Sequence, residues 1–368
     1  MQTRTMISVA VAMLLVAEVV QADVFGTGEN QFTIDFVPIS GDTNPASGYG
    51  IVNHAYRMGT FEITNEQWAK FKPGADLANK VKVPVNDITW YEAAQFVNWL
   101  NTSTGHPVAY NFTGTQDTGD SAFATWATAE ADGTNLYRHK GAFYYLPTED
   151  EWFKAAFWNG TIVQDRATKA GEVLTQGDGM SGRGWNYLYN GSYATSPAGP
   201  WVVGSGSQEL NGTYDMMGNV WEWMENPFND PAYGADSTRA LRGSAFNVDP
   251  LVLLPDGNPD FKLAIDNGPG GGNNNVGFRV ASVPAPTIPG DANLDGIVDQ
   301  ADYTIWYNHY GASGATWADG DVTGDNIVDQ ADYTVWYNNY GSTGGNVPEP
   351  MTMALLAIGG LAMLRRRK

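Results

Sequence analysis

The chain has 368 residues, with 20 Lys and Arg against 40 Asp and Glu, a formal net charge of −20, and no cysteine. Such acidity excludes nucleic-acid binding, because nothing would neutralise phosphates, and the missing thiols exclude disulfides, thiolate metal sites and thiol catalysis together. Hydrophobic residues at 43% and aromatics at 12% suit one large packed domain with a small one after it.

The first 22 residues have the pattern of a signal peptide. Arg4 supplies the positive end, 7–20 is almost wholly apolar, and Val20-Gln21-Ala22 is a small-residue cleavage site. The mature chain is expected to begin near Asp23.

From 23 to 283 the chain is glycine-rich and aromatic-rich, and short strands and loops are expected over most of it. Three helices stand out. A short one over 65–71 follows Thr64 as cap. A second, over 89–101, places Ala93, Phe96, Val97 and Leu100 on one face. The third, over 148–158, opens with Thr148 and with Glu151 three residues later, a capping box. The carboxylates Glu149, Asp150 and Glu151 are therefore assigned to capping and ion pairing rather than acid–base work. His54, His106, His139 and His309 are scattered, without ligand spacing.

After a proline-rich linker, 284–289, one motif is written twice, 30 residues apart: DANLDGIVDQAD at 291–302 and DVTGDNIVDQAD at 321–332. Oxygen donors stand at positions 1, 3, 5, 9 and 12 of each loop, with a backbone carbonyl at position 7. That spacing wraps hard oxygens around a hard cation, as in EF-hand calcium loops. The first loop offers Asp291, Asn293, Asp295, Ile297 (carbonyl), Asp299 and Asp302. The second offers Asp321, Thr323, Asp325, Ile327 (carbonyl), Asp329 and Asp332. Two Ca²⁺ ions are expected here, the second held less tightly because Thr323 is a neutral donor. Each loop runs into a helix, 300–310 and 330–340.

A second linker, 342–347, precedes Pro348-Glu349-Pro350, a 14-residue apolar stretch and the terminal Arg365-Arg366-Arg367-Lys368. The stretch is shorter than the ~20 residues that span a bilayer comfortably, and the basic cluster would hold that end on the cytoplasmic side.

Three resemblances emerge. The order PEP, apolar stretch, arginine cluster over 348–368 resembles the PEP-CTERM sorting signal, which implies removal by an exosortase and release at the surface or matrix of a Gram-negative-type bacterium. The loop–helix duplication over 290–341, with Asp at position 12, resembles a type I dockerin. That implies a small all-α calcium module with a cohesin-like partner met at loop positions 10 and 11, here Gln300, Ala301, Gln330 and Ala331. A calcium-stabilised stalk without such a partner is the alternative.

The third covers the large domain. MGTFEITNEQWAKF (58–71), PVNDITWYEAAQFVNWLN (84–101), YYLPTEDEW (144–152), YDMMGNVWEW (214–223), LRGSAFN (241–247) and GFRVA (277–281) resemble the formylglycine-generating enzyme, or sulfatase-modifying factor, family. The resemblance implies an elaborated C-type-lectin-like α+β fold of low regular content. It also implies one structural Ca²⁺ at the glycine-asparagine turn, held by Asp215, Gly218, Val220 and Glu222. The oxidising members hold copper with two cysteines lying between the segments that match Arg242-Gly243-Ser244 and Gly277-Phe278-Arg279. This chain has none, so no copper and no catalytic residue are expected.

The reading that follows is an exported, non-catalytic binding module using surface aromatics such as Trp185, Trp201 or Trp221 for a glycan or a surface protein, with a core position equally open for these tryptophans and the better reading for Trp221. An enzyme with cysteine-independent chemistry and a structural matrix component are the alternatives.

Overall fold

The computed structural model describes residues 21–73, 81–113, 122–228, 233–248, 260–284, 288–293, 297–315, 317–323, 325 and 327–342. Expected features at 1–20, at Asp295 and at 343–368 lie outside these residues. In chain order the elements are β1 (Gln21–Phe25), β2 (Phe32–Ile39), β3 (Tyr56–Gly59), α1 (Asn65–Phe71), α2 (Trp90–Ser103), β4 (Asn111–Thr113), β5 (Ala122–Ala124), β6 (Ala131–Asp132), β7 (Asn135–His139), β8 (Tyr144–Tyr145), α3 (Glu149–Phe157), β9 (Trp221–Pro227), β10 (Arg239–Arg242), β11 (Ile265–Asn267), β12 (Val276–Gly277), β13 (Ala281–Ser282), α4 (Gln300–His309) and α5 (Gln330–Asn339).

The large domain is mostly strand and loop with few helices. Each helix begins where its sequence signals it. Thr64, Thr89 and Thr148 accept from the backbone N–H three residues on, and Gln67, Glu92 and Glu151 return a bond to the cap's own N–H. Each box satisfies two donors that a helix start otherwise leaves without partners.

A five-stranded sheet, ordered β1-β2-β3-β13-β8, divides two apolar clusters. Because neighbouring strand residues point to opposite faces, Phe32, Ile34 and Phe36 of β2 and Tyr144 of β8 join the cluster that buries α2. Val37, Ile39 and Tyr145 join the cluster that buries α3. Asp23 of β1 forms a two-pronged ion pair with buried Arg57 (2.8 and 2.6 Å) and accepts from the Tyr144 hydroxyl at 2.8 Å.

The second sheet, β11-β10-β9-β12, positions the candidate site. β9 pairs antiparallel with β10 and parallel with β12, so Val276 lies beside Trp221 and Gly277 beside Glu222. This juxtaposes the WEW segment with the GFR segment, more than fifty residues downstream.

Candidate functional site

Two adjoining hollows open on one end of the second sheet. The larger, about 460 Å³, is floored by Trp221, Leu241, Val276 and Ile265 and rimmed by amides, among them Asn273 and Asn274. The smaller, about 20 Å³, shares Trp221, Val248 and Ile265 and adds Ser244, Asp260 and Phe261. The walls are held from within. Trp221 donates its backbone N–H to the Asn275 carbonyl at 2.8 Å, and the Asn275 amide donates to Asn247 Oδ1 at 2.8 Å.

Ser244 is the strained member. It is buried, its φ is +67°, and its hydroxyl makes no hydrogen bond. A non-glycine residue in the left-handed region costs of order 1–3 kcal/mol and persists where the surroundings over-determine it. Sequence reading passed over Ser244, and only the glycine before it hinted at an unusual turn.

The chemistry available is that of a binding cleft, with an apolar floor, a rim of neutral amides, and Asp260 and Asp266 as the carboxylates in the walls. It occupies the interval between Arg242 and Gly277 in which the resemblance places the copper cysteines of the oxidising enzymes. Serine, valine, aspartate and asparagine line it here.

Trp185, Trp201 and Trp221 are all buried, at 1%, 6% and 5% exposure, which is the core position favoured for Trp221 and left open for the other two. Trp185 donates to Glu209 at 3.1 Å and Trp201 to Asp215 at 2.8 Å. Only Trp221 meets the cleft.

At 215–222, where calcium is expected, both carboxylates are engaged by protein donors. Both Glu222 oxygens accept from Arg279, each at 2.6 Å, and Oε2 also takes the Trp152 indole at 2.8 Å. Asp215 accepts from the Trp201 indole and the Gly204 N–H, both at 2.8 Å. Every carboxylate oxygen of the expected cage therefore faces a nitrogen donor, and the two carboxylates as placed do not fit a cation. Burial alone would lower the Arg279 pKa, but Glu222 outweighs it and raises it.

A second buried ion cluster escaped sequence reading because its members are far apart in the chain. Arg138 bonds Glu151 (3.0 and 3.2 Å) and Glu225 (2.6 Å), while Tyr110 donates to Glu225 at 2.8 Å. Burial would raise the Glu151 carboxyl, but Arg138 holds it well below the usual carboxylate range. Glu149 accepts from Arg242 at 2.7 Å and Asp150 from the Gly50 N–H at 2.8 Å, so all three acids at the head of α3 are engaged structurally.

In the repeat, Asp291, Asp302, Asp321 and Asp332 are buried, at 0–2% exposure. Asp302 accepts from the N–H groups of Ala292, Asn293 and Asp299, and Asp332 from those of Thr323 and Asp329. Asp299 and Asp329 cap α4 and α5. Asn293, Thr323, Asp325, Ile297 and Ile327 stand on the exposed side of the loops, and Gln300, Ala301, Gln330 and Ala331 are all exposed. Among the described residues, which omit Asp295, no three His, Cys, Asp or Glu side chains are arranged to hold a metal. From 290 to 342 the chain has nine aspartates and neither lysine nor arginine.

The pattern of a sulfatase-modifying factor enzyme 1-like domain spans residues 19–283. The chain belongs to that family. A PEP-CTERM protein-sorting motif follows at 346–368, marking an exported, surface-processed member whose signal implies exosortase processing. Among the described residues no helix is long and apolar enough to cross a membrane.

This family member is 27% identical over 198 residues to the chaperone protein LppX of Paenibacillus barcinonensis, covering 47% of this chain and 64% of that protein. It is 28% identical over 148 residues to hercynine oxygenase of Mycobacterium tuberculosis (36% and 29%). It is 23% identical over 223 residues to the inactive C-alpha-formylglycine-generating enzyme 2 of Mus musculus (57% and 52%). It thus spans less than two thirds of each of these relatives. Treponema denticola variable protein 1 shares the fold, with a TM-score of 0.51 at 21% identity over 73% of this chain and 100% of that one.

Proposed function

We propose that this exported family member is a non-catalytic binding protein. In this reading it holds an extended polypeptide segment in the cleft beside Trp221 and is assembled at the cell surface through its calcium-dependent, dockerin-like repeat. One observation carries the first part: the interval that bears the copper cysteines in oxidising members lines the cleft here without a thiol, leaving an apolar floor and an amide rim. Side-chain amides both donate and accept, which suits the peptide units of a bound segment, and apolar floors supply the burial. Two relatives point the same way, one named a chaperone and one named inactive.

For the repeat, the support is the donor spacing and the absence of basic residues. Ca²⁺ would be held by Asp291, Asn293, Asp295, the Ile297 carbonyl, Asp299 and Asp302, and by Asp321, Thr323, Asp325, the Ile327 carbonyl, Asp329 and Asp332. It would neutralise the buried acids and so couple binding to folding. The exposed pairs Gln300/Ala301 and Gln330/Ala331 would meet a cohesin-like partner.

The test pairs a peptide array with a glycan array, probed with the full chain and with Val248→Arg, which projects a charge into the cleft. Peptide capture that falls at least about tenfold in the variant, with unchanged circular dichroism, is expected. Glycan capture without peptide capture, or peptide capture indifferent to Val248→Arg, would contradict the reading.

A further inference from the structure

A second cavity, about 350 Å³, lies among 31–35 in and before β2, residues 61–64 leading into α1, Glu66 and Gln67 of its first turn, Lys82 and Val203. Its size is that of a small-ligand site. Glu62 stands in its wall. The side chain is 1% exposed, and its Oε1 accepts from the Asn219 amide at 3.0 Å. Its Oε2 is buried and has no hydrogen-bond partner. The Thr60 hydroxyl, two residues earlier, is likewise buried without a partner. Buried polar atoms are nearly always bonded, so an orphaned carboxylate oxygen in a cavity wall calls for a partner from outside the chain.

Charge decides what that partner is. Burial and then the nearby Asp215 carboxylate push the Glu62 carboxyl up, and Arg279, the guanidinium that opposes them, has its Nε and Nη2 bonded to Glu222 and its remaining donors to carbonyls of Gly59, Thr60 and Tyr214. Among the described residues no Lys, Arg or His forms an ion pair with Glu62. The cavity lining adds Asp35 and Glu66 against a single cation, exposed Lys82. A buried anion is tolerated when it is paired and hydrogen-bonded, and a cleft lined by one sign of charge concentrates the opposite sign.

We propose that this cavity binds a primary ammonium group, with Glu62 Oε2 as its counter-ion. An ammonium presents three rotatable donors on a compact charge, enough to reach Oε2 and a second oxygen of the wall together. The group could belong to a free alkylamine or to a lysine side chain of another protein.

Titration calorimetry on the full chain tests this with three probes: propylammonium, its neutral isostere 1-propanol, and lysine blocked at both ends. Propylammonium is expected to bind at least about tenfold more tightly than 1-propanol. Glu62→Gln, which keeps the Asn219 bond, should weaken it about tenfold, and Lys82→Gln on the rim should tighten it about threefold. Blocked lysine binding as well as propylammonium assigns the site to a protein side chain; binding of propylammonium alone assigns it to a small amine. Absence of propylammonium binding, equal binding of 1-propanol, or unchanged affinity in Glu62→Gln would overturn the proposal. Should Glu62→Gln fail to fold, Lys82→Gln decides: tightening supports the site and an unchanged affinity refutes it.

Discussion

Trp306 and Trp336 exchange helix starts. The Trp306 indole donates to the Asp329 carbonyl at 2.7 Å, where α5 begins, and the Trp336 indole donates to the Asp299 carbonyl at 2.8 Å, where α4 begins. The backbone of Trp336 closes on Gly290 and that of Trp306 on Gly320, both at φ near +95°, where an added Cβ would lie within 3 Å of the neighbouring helix. The two copies are thus locked reciprocally, each loop against the other's helix.

With calcium bound as proposed, that locking is expected to make folding of the two copies cooperative. Residues 288–343 are expected to be largely unfolded with chelator and helical with calcium, because a segment this small cannot bury enough core to offset its own acids. Far-UV circular dichroism with and without calcium checks it. Asp291→Ala should cost more calcium affinity than Thr323→Ala, since it removes a charged donor. Helicity indifferent to chelator would reject calcium-driven folding.

The Arg279–Glu222 pair is expected to be a structural keystone rather than a metal site. Removing one partner of a buried pair leaves an uncompensated charge and costs about 3–5 kcal/mol. Arg279→Met should therefore lower the urea midpoint strongly, and Glu222→Gln added to it should restore part of the loss. Calcium should not shift the midpoint of the isolated 23–283 domain. A calcium-dependent rise there would reinstate the metal cage.

Stability should fall with rising pH through Glu209. Burial, with Asp215 adding to it against Arg279, raises this carboxyl from 4.5 to about 8. The folded state therefore binds the proton more tightly than the unfolded one. The contribution is fully present below about 4.5 and is lost as pH climbs to about 8. Urea midpoints for the wild type and Glu209→Gln should agree at the acid end of that window and part as pH rises, the wild type falling below the variant, whose profile stays flatter. Parallel profiles would remove Glu209 from the account.

Processing is a further expectation. Intact mass of material secreted by its native host should lack Arg365-Arg366-Arg367-Lys368, as exosortase removal of the sorting motif requires. Recovery of chains still bearing that cluster would favour a retained anchor.

Much of this architecture was legible in the sequence because local signals carried it. Three threonine capping boxes mark the starts of α1, α2 and α3, and the duplicated aspartates mark α4 and α5. The strands were not legible one by one, since many are only two to five residues long and their order depends on pairings across the chain. The candidate site was half legible. Its location follows from LRGSAFN and GFRVA, but the strain at Ser244 and the burial of Trp201 belong to tertiary packing. The bonding of Asp215 and Glu222 was illegible for a related reason. Two carboxylates near a glycine turn look like a cage until Arg279, 57 residues beyond Glu222, is seen bonded to one of them.

The central claim is that this sulfatase-modifying factor domain keeps the scaffold but not the oxidation. The most direct measurement is mass spectrometry of a sulfatase-derived cysteine peptide incubated with the purified chain, with and without added copper. The peptide should be recovered at unchanged mass in both, because the chain has no thiol to hold the copper that activates oxygen in the cysteine-bearing members. Conversion of the cysteine to the aldehyde, dependent on this protein and abolished by heating it, would contradict the account and turn the cleft beside Trp221 into an active site.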